Sequence, residues 1–503
     1  MKNLVKHIAI LIIFCSTSTW ANFQDSKITE PNVIATVDKI VITTDEFINS
    51  YEFGPSFVKK QPDSKLKHLN YMIDEKLLSL YGKELGLDST AQVREVAEAF
   101  KNDIITEAMF KEEILPKVEY SEEEIDSLVV QKSLELQIRW LFSNEDDEIN
   151  HFYSALESGV RFDTLFSKQI RDSIYYDMRS MNITRYNLGK KNPLLASVID
   201  TLQAGNYSLP IKTGDGWYIV ELNNVLQNMV YSESDLLRLR KESVEAITKI
   251  KTDELSDAFI KKLYNSSNPV VNKSTFNIAL AHTANFILTK ELYQEWEIAD
   301  LLKESLSGIG TIGKDEIGEL HLVNMEDGVI TLNEFMIWFR TMFQNLKFEK
   351  SSLNKYGYSL YSVVQRMIRD RLLIRHAYEN DYQYTPGIES ELKWWMDKIV
   401  FSAVRNEIMN SIYLENNEKV PSSPSANESV TEKLNTELSI KLYRLLKELR
   451  GKYDISINKE LLKSVKVSEE NNFQAIDLYA VKKGGLMPRT PYPTIDNDWQ
   501  YWQ

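Results

Sequence analysis

Residues 202–222 read LQAGNYSLPIKTGDGWYIVEL, from Leu202 to Leu222. Ala204-Gly205-Asn206 makes one turn, Pro210 sits in a short apolar segment, and Thr213 to Gly216 makes a second turn. The run Trp217-Tyr218-Ile219-Val220-Glu221-Leu222 then alternates its apolar residues in the way a half-buried strand requires. Small and polar residues punctuate the chain on either side. The stretch predicts a loop, a short strand, a tight turn and a final strand.

Upstream elements supply what this strand needs as partners. Leu134 to Phe142 reads as a first strand, Asp146 to Ser158 as a helix, and Gly159-Val160-Arg161-Phe162 as a turn into a second helix. Asn192 to Leu202 reads as the last helix before the quoted stretch. Residues 134–225 are thus expected to form an antiparallel sheet covered by helices, an α+β insert in a mostly helical chain. The spacing of Leu202, Gly205, Ser208, Pro210, Thr213 and Gly216 resembles the last third of a parvulin-type peptidyl-prolyl isomerase domain.

The resemblance implies where the chemistry of that family would lie. Twisting an X-Pro amide faces a barrier of roughly 18 to 20 kcal/mol, so a catalyst needs an apolar proline pocket with polar groups set against the carbonyl. The family's two histidines fall on Trp140 and Tyr218, its pocket phenylalanine on Leu195 and its pocket methionine on Lys191. Thr213 and Asp215 complete the implied prolyl pocket, and the turn near Met178 to Asn182 lacks the family's Gly-Gly-Asp. An indole exchanges no proton, and a phenol with a reference pKa of about 10 exchanges one poorly at neutral pH. Lys191 places a charge where an apolar ring holder belongs. The resemblance therefore implies a domain that keeps the fold and has lost the isomerase chemistry. Its rival is an isomerase with an altered site, using Tyr218 with Asp215 or Asp177.

Before this insert, VIATVDKIVITTDEF from Val33 predicts two short strands joined by a turn at Lys39, then a helix opened by Thr44-Asp45-Glu46. Leu66, Leu69, Met72, Ile73, Leu77 and Leu80 fall on one face of a helix from Lys65 to Leu85. A further helix runs from Ala91 to Ile114 and stops at Pro116, and Tyr120-Ser121-Glu122 caps another. Residues 33 to about 130 resemble the N-terminal chaperone domain of the SurA, PpiD and PrsA foldases.

After the insert the chain repeats itself. Tyr231 to Tyr264 reads as one long amphipathic exit helix, closed at Ser266-Ser267-Asn268-Pro269 and followed by an extended piece, the two occupying 231–280. Ile330-Thr331-Leu332-Asn333-Glu334-Phe335 echoes Ile42-Thr43-Thr44-Asp45-Glu46-Phe47, and Met367 to Leu373 echoes Met72 to Leu78. Trp395, Ile399, Val400 and Ala403 fall where Phe100, Ile104, Ile105 and Ala108 fell. Residues 281–414 are therefore expected to be a second SurA-N-like helical half, with a Pro/Ser/Asn-rich linker at 415–431 in place of the insert. Glu437 to Asn458, within an exit helix and extended segment at 432–483, repeats the exit, Ile457-Asn458-Lys459 echoing Val271-Asn272-Lys273.

Composition narrows the function classes. The chain carries 59 basic and 73 acidic side chains without a basic stripe, which argues against a nucleic-acid partner. Lys2, Lys6, a short apolar run from Ile8 to Cys15 and Thr19-Trp20-Ala21 predict a secretory signal peptide over 1–21. Its removal takes away the only cysteine, so no thiol or disulfide chemistry is expected, nor any membrane anchor. A lipid-anchored Cys15 would want a small residue where Phe14 stands.

His68, His151, His282, His321 and His376 stand singly, without metal spacing, so neither metal nor cofactor is expected. His151 is expected at the surface, and Trp296, Trp338, Trp394 and Trp395 in helix cores. Residues 484–503 hold Pro488, Pro491 and Pro493 among aromatics, an extended tail that is either a dock for a protein partner or a frayed terminus. The resemblance implies a periplasmic, ATP-independent chaperone holding unfolded exported or outer-membrane proteins. A non-catalytic subunit of an envelope assembly or secretion machine is the alternative in another class.

Overall fold

The computed structural model describes residues 32–52, 54, 59–60, 62–170, 179–227, 232–309, 313–343, 346–416 and 428–467. The expected signal peptide with Cys15, Asp177, most of the 415–431 linker and the 484–503 tail lie outside the described residues.

A hairpin of β1 (Val33–Val37) and β2 (Ile40–Thr43) leads into α1 (Thr44–Glu52), α2 (Ser64–Glu84) and α3 (Ala91–Glu113). Next come α4 (Glu122–Ser133), β3 (Leu134–Ser143), α5 (Asp146–Glu157), α6 (Phe162–Gln169), β4 (Ser180–Thr184), α7 (Arg185–Lys191) and α8 (Pro193–Ile199). The short β5 (Ile211–Lys212), β6 (Trp217–Gln227) and the long α9 (Glu233–Ser267) follow. Then β7 (Val270–Val271), α10 (Lys273–Ile287), α11 (Lys290–Glu295) and α12 (Ile298–Ser307) precede a second hairpin, β8 (His321–Met325) and β9 (Gly328–Thr331). The order ends with α13 (Leu332–Met342), α14 (Leu353–Glu379), α15 (Ile388–Glu415), α16 (Glu428–Lys452), β10 (Ile455–Ile457) and α17 (Lys459–Ser464). The chain is mostly helical with small antiparallel sheets and one α+β insert.

Several boundaries differ from the sequence reading. The exit helix α9 continues through Ser267, so the break falls on Asn268, whose backbone is left-handed, and Pro269. Residues 273–280, expected to be extended, begin helix α10, which Asn272 caps by accepting from the Ser274 and Thr275 amides. Helix α16 starts at Glu428, inside the expected linker. The helix expected over Asn192 to Leu202 is only Pro193–Ile199, with the Asn192 side chain as its cap.

The chain divides into two compact units, one of Met1–Glu113 with Ile260–Gln503 and one of Ile114–Phe259. In the first, both hairpins end in the same local device. The Thr43 hydroxyl accepts from the Glu46 amide at 3.2 Å while the Glu46 carboxylate accepts from the Thr43 amide at 3.3 Å. Thr331 and Glu334 repeat this reciprocal cap at 3.2 and 2.9 Å. Strand β10 pairs with β1 and strand β7 with β8, giving three-stranded sheets β10-β1-β2 and β7-β8-β9.

Two large cores form in this unit, beside a smaller cluster in which Val93 packs with Ile399 and Val400. Ile34, Ile42, Phe47, Leu69, Ile73 and Leu77 pack with Phe401 and Val404 of α15. The α16 stripe Leu434, Leu438, Leu442, Leu446 and Leu449 closes that core. Its spacing places one apolar residue on the same helical face every turn, and each buried leucine contributes about 1.5 to 3 kcal/mol. The second core gathers Ala279, Ala284, Leu322, Ile330, Phe335, Tyr356, Val364 and Ile368. Trp394 and Trp395 are buried, and Trp296 and Trp338 pack against the second core.

A buried ionic layer joins α2 to α15. The Asp397 carboxylate accepts from Lys76 at 2.7 Å, Ser79 at 2.8 Å and Lys83 at 2.6 Å. At the adjacent positions of the same two helices, Lys398 reaches both oxygens of Glu75, at 2.8 and 2.9 Å.

The second unit is built on the sheet β4-β3-β6-β5. Strands β3 and β6 pair along their length, with a bulge at Gln137/Ile138, and Phe142 faces Tyr218 across the register. One face buries Leu136, Ile138, Val220 and Leu222 against Leu188, Ala196 and Ile199 from α7 and α8. The other buries Leu141 and Ile219 against Ile149, Leu156, Phe162 and Phe166 from α5 and α6. Helix α4, grouped in sequence with the upstream helices, belongs to this unit, as does α9 through Phe259. Ile125 and Leu128 pack on Ile247, and Arg240 pairs with Asp126 and Glu122 while Lys251 pairs with Glu124. A helical stripe shows that a partner exists without saying which one it is.

Candidate functional site

Residues two apart on a strand share a face, so Trp140 and Phe142 on β3 stand on the same face as Tyr218 and Val220 on β6. Trp140, Leu195, Leu202, Ile211 and Tyr218 all pack against the apolar cluster on that face. Of the positions expected at the prolyl site, Trp140, Leu195 and Tyr218 therefore share one apolar cluster, while Lys191, Thr213 and Asp215 lie outside it. Tyr218 is further fixed by Phe142, with ring centroids 4.9 Å apart.

The turn before β6 supplies the polar part. Thr213 Oγ1 donates to Asp215 Oδ1 at 2.6 Å, and the Tyr218 hydroxyl donates to Asp215 Oδ2 at 2.8 Å. Gly216, at φ +151, lets the chain pass close beneath Phe142 and Ser143. The hydrogen bonds from Thr213 and Tyr218 hold the Asp215 carboxyl below its usual range. Burial, then the hydrogen bond to Asp215 and its charge, push the Tyr218 phenol up to about 12, with Arg179 opposing them. At neutral pH the group is a fixed phenol donor bound to a carboxylate. It offers no acid or base that titrates near pH 7.

Of the sequence-derived site residues, Thr213 and Asp215 come together with Tyr218, and Leu195 joins Trp140 and Tyr218 in the cluster. Lys191 is exposed at the end of α7 and belongs to neither grouping. His151 is exposed on α5. Among the described residues no group of His, Cys, Asp or Glu could hold a metal ion, and no helix is long and apolar enough to cross a membrane.

Two features were not legible beforehand. Arg179 lies over the Phe142 ring at 5.6 Å, bonds Gln169, and lines a recess of about 430 Å³ with Ser143, Glu148 and Lys168. A larger groove of about 860 Å³ runs between α8 and the 206–212 segment, edged by Leu194, Tyr207, Leu209 and Lys212. Neither recess is lined by Trp140, Tyr218, Lys191 or Leu195.

No family model and no curated protein matches this chain. Among solved structures, it is similar to the peptidylprolyl isomerase PrsA from Bacillus anthracis, at 16% identity over 39% of this chain and 96% of that one, with a TM-score of 0.22. PrsA from Bacillus cereus gives 14% identity over 46% and 91%, with a TM-score of 0.24. PrsA from Bacillus subtilis gives 14% over 46% and 93%, with a TM-score of 0.17.

Proposed function

We propose that this chain is an exported, ATP-independent holding chaperone whose parvulin-like unit has lost prolyl isomerase chemistry. The observation that carries the reading is the Tyr218 hydroxyl committed to Asp215, with Trp140 and Leu195 packed against the same apolar cluster as Tyr218. An X-Pro substrate would meet a filled apolar face and a phenol that stays protonated. Exposed aromatics give the holding activity a surface: Phe286 is 50% exposed and Tyr358 75% exposed, with Tyr361 beside Phe276. Reversible holding needs such apolar patches without deep enclosure. Unfolded exported or outer-membrane polypeptides, met in the periplasm, are the clients that fit.

Two measurements test the proposal together. The first is the cis-to-trans rate of a short X-Pro peptide, a step of tens to hundreds of seconds uncatalysed, with micromolar protein present. The expected result is an unchanged rate, in the wild type and in Tyr218→Phe alike. Acceleration that disappears in Tyr218→Phe would replace this reading with an isomerase of altered site. The second is light scattering from a diluted, denatured outer-membrane protein, which the chain is expected to suppress without nucleotide. Unsuppressed aggregation at equimolar chain would reject the holding activity and favour a fixed envelope subunit.

A further inference from the structure

We infer that the first compact unit is an internally exchanged pseudo-dimer, in which each of two related modules is completed by the other half of the chain. The sequence repeat supplies the alignment: Ile42 with Ile330, Met72 with Met367, Phe100 with Trp395, and Ile457 with Val271. Extending those pairs by equal steps predicts which contacts should be equivalent if the halves are related. Four independent sets of contacts agree, and each joins one half to the other.

The closing strands come first. The Asn458 amide donates to the Ile34 carbonyl at 2.8 Å, and the Asn272 amide donates to the Leu322 carbonyl at 2.9 Å. The alignment pairs Asn458 with Asn272 and Ile34 with Leu322. So the strand that ends the second half sits on the hairpin that begins the first, and the strand that ends the first sits on the hairpin of the second.

The exit helices repeat the crossing. Arg450 donates to the Asn70 carbonyl and side-chain oxygens, both at 3.3 Å, and the Tyr264 hydroxyl donates to Gln365 Oε1 at 3.0 Å. Arg450 aligns with Tyr264, and Asn70 with Gln365. The long helices do the same: Lys83 Nζ donates to Asp397 Oδ1 at 2.6 Å, and the Tyr378 hydroxyl donates to Asn102 Oδ1 at 3.0 Å. Helix α15 thus lies on α2, and helix α3 lies on α14.

At the centre, Phe100 and Trp395 are each other's equivalents, and their rings meet with centroids 5.5 Å apart. Equivalent residues touch one another only at a local two-fold axis. The hinges from which the exchanged helices depart also match. Gly86 and Asp381 align, both are left-handed at φ 72 and φ 64, and each opens a short 3-10 turn.

Charge selects this arrangement over a tandem one. If α3 lay on α2, the neutral Asn102 would take the place of Asp397, and the buried Lys76 ammonium would stand beside an amide instead of a carboxylate 2.7 Å away. The surface formed by α3 and α15 therefore has its partner within the same chain. One chain presents both modules, where an unduplicated chain of this plan would require two copies.

Cysteine pairs on partly exposed positions test the exchange in the full chain carrying Cys15→Ser. Asn70→Cys with Arg450→Cys, and Gln365→Cys with Tyr264→Cys, are expected to be joined by a short bis-maleimide within a single chain. The reverse pairs, Asn70→Cys with Tyr264→Cys and Gln365→Cys with Arg450→Cys, are expected to stay at the level of the single-cysteine controls. Intact mass and peptide mapping read the result. Joining in the reverse pairs would overturn the exchange, and covalent dimers would place it between chains instead. Where Tyr264→Cys fails to fold by circular dichroism, Tyr378→Cys with Asn102→Cys replaces that pair.

Discussion

Replacing Lys398 by methionine isolates the energetics of the layer between α2 and α15. Its ammonium bonds both Glu75 oxygens, and the two side chains are only 11% and 4% exposed. Burial pulls the Lys398 ammonium below its usual range, Glu75 opposes that pull, and the nearby Lys76 adds to it. In Lys398→Met the Glu75 carboxylate stays in the core without its cation, which costs about 3 to 5 kcal/mol. Adding Glu75→Met removes the stranded charge, so the double variant is expected within about 1 kcal/mol of the wild type, or above it. Urea unfolding followed by circular dichroism gives the four corners of the cycle, and an unchanged denaturant slope confirms that the same unit is being unfolded. A single-variant loss below about 1 kcal/mol, or a double variant no better than Lys398→Met, would refute the reasoning.

Three further outcomes follow from close contacts and charge. A Cβ on Gly82 would lie 2.5 Å from Val400 Cγ1 and 2.8 Å from Val404 Cγ2. Gly82→Ala is therefore expected to destabilise by about 1 to 3 kcal/mol in thermal unfolding, although alanine alone favours a helix. At Gly216 a Cβ would meet the Phe142 ring at 2.6 Å and the Ser143 carbonyl at 2.8 Å, on a backbone at φ +151. Gly216→Ala should cost the second unit roughly 1 to 3 kcal/mol and raise hydrogen exchange in β3 and β6. Burial raises the Asp74 carboxyl to about 6, with Arg450 opposing. Because the folded form binds that proton first, stability should rise as pH falls from about 6 to 4, and Asp74→Asn should flatten that slope. The variant should gain about 3 kcal/mol over the wild type at pH 7 and lose the gain near pH 4.

Local chemistry was readable in the sequence and long-range choice was not. Ser121 caps α4 as expected, because the signal is local, and Glu124 completes the capping box. The β3–β6 pairing follows from alternation, and Trp140 and Tyr218 share one face of that sheet because each sits at a fixed register on its strand. By contrast, the apolar faces of α3 and α15 look alike, and nothing in their periodicity says that α15 lies on α2. The deciding groups, Asp397, Lys76 and Lys83, are far apart in sequence and look like solvated charges until packed. The groove edged by Leu194 and Leu209 escaped for the same reason, since its walls come from separate segments.

The pairing of β1 with β10 has a consequence for biosynthesis. The hairpin at Val33–Thr43 leaves the ribosome early, yet its sheet edge and core wait for α15, α16 and β10. At about 5 to 20 residues per second, roughly 420 residues of synthesis separate Ile34 from Ile457, a wait of roughly 20 to 80 s. Through that interval the earliest segment carries an open strand edge and bare leucines, so a nascent chain of this protein is itself a substrate for protection.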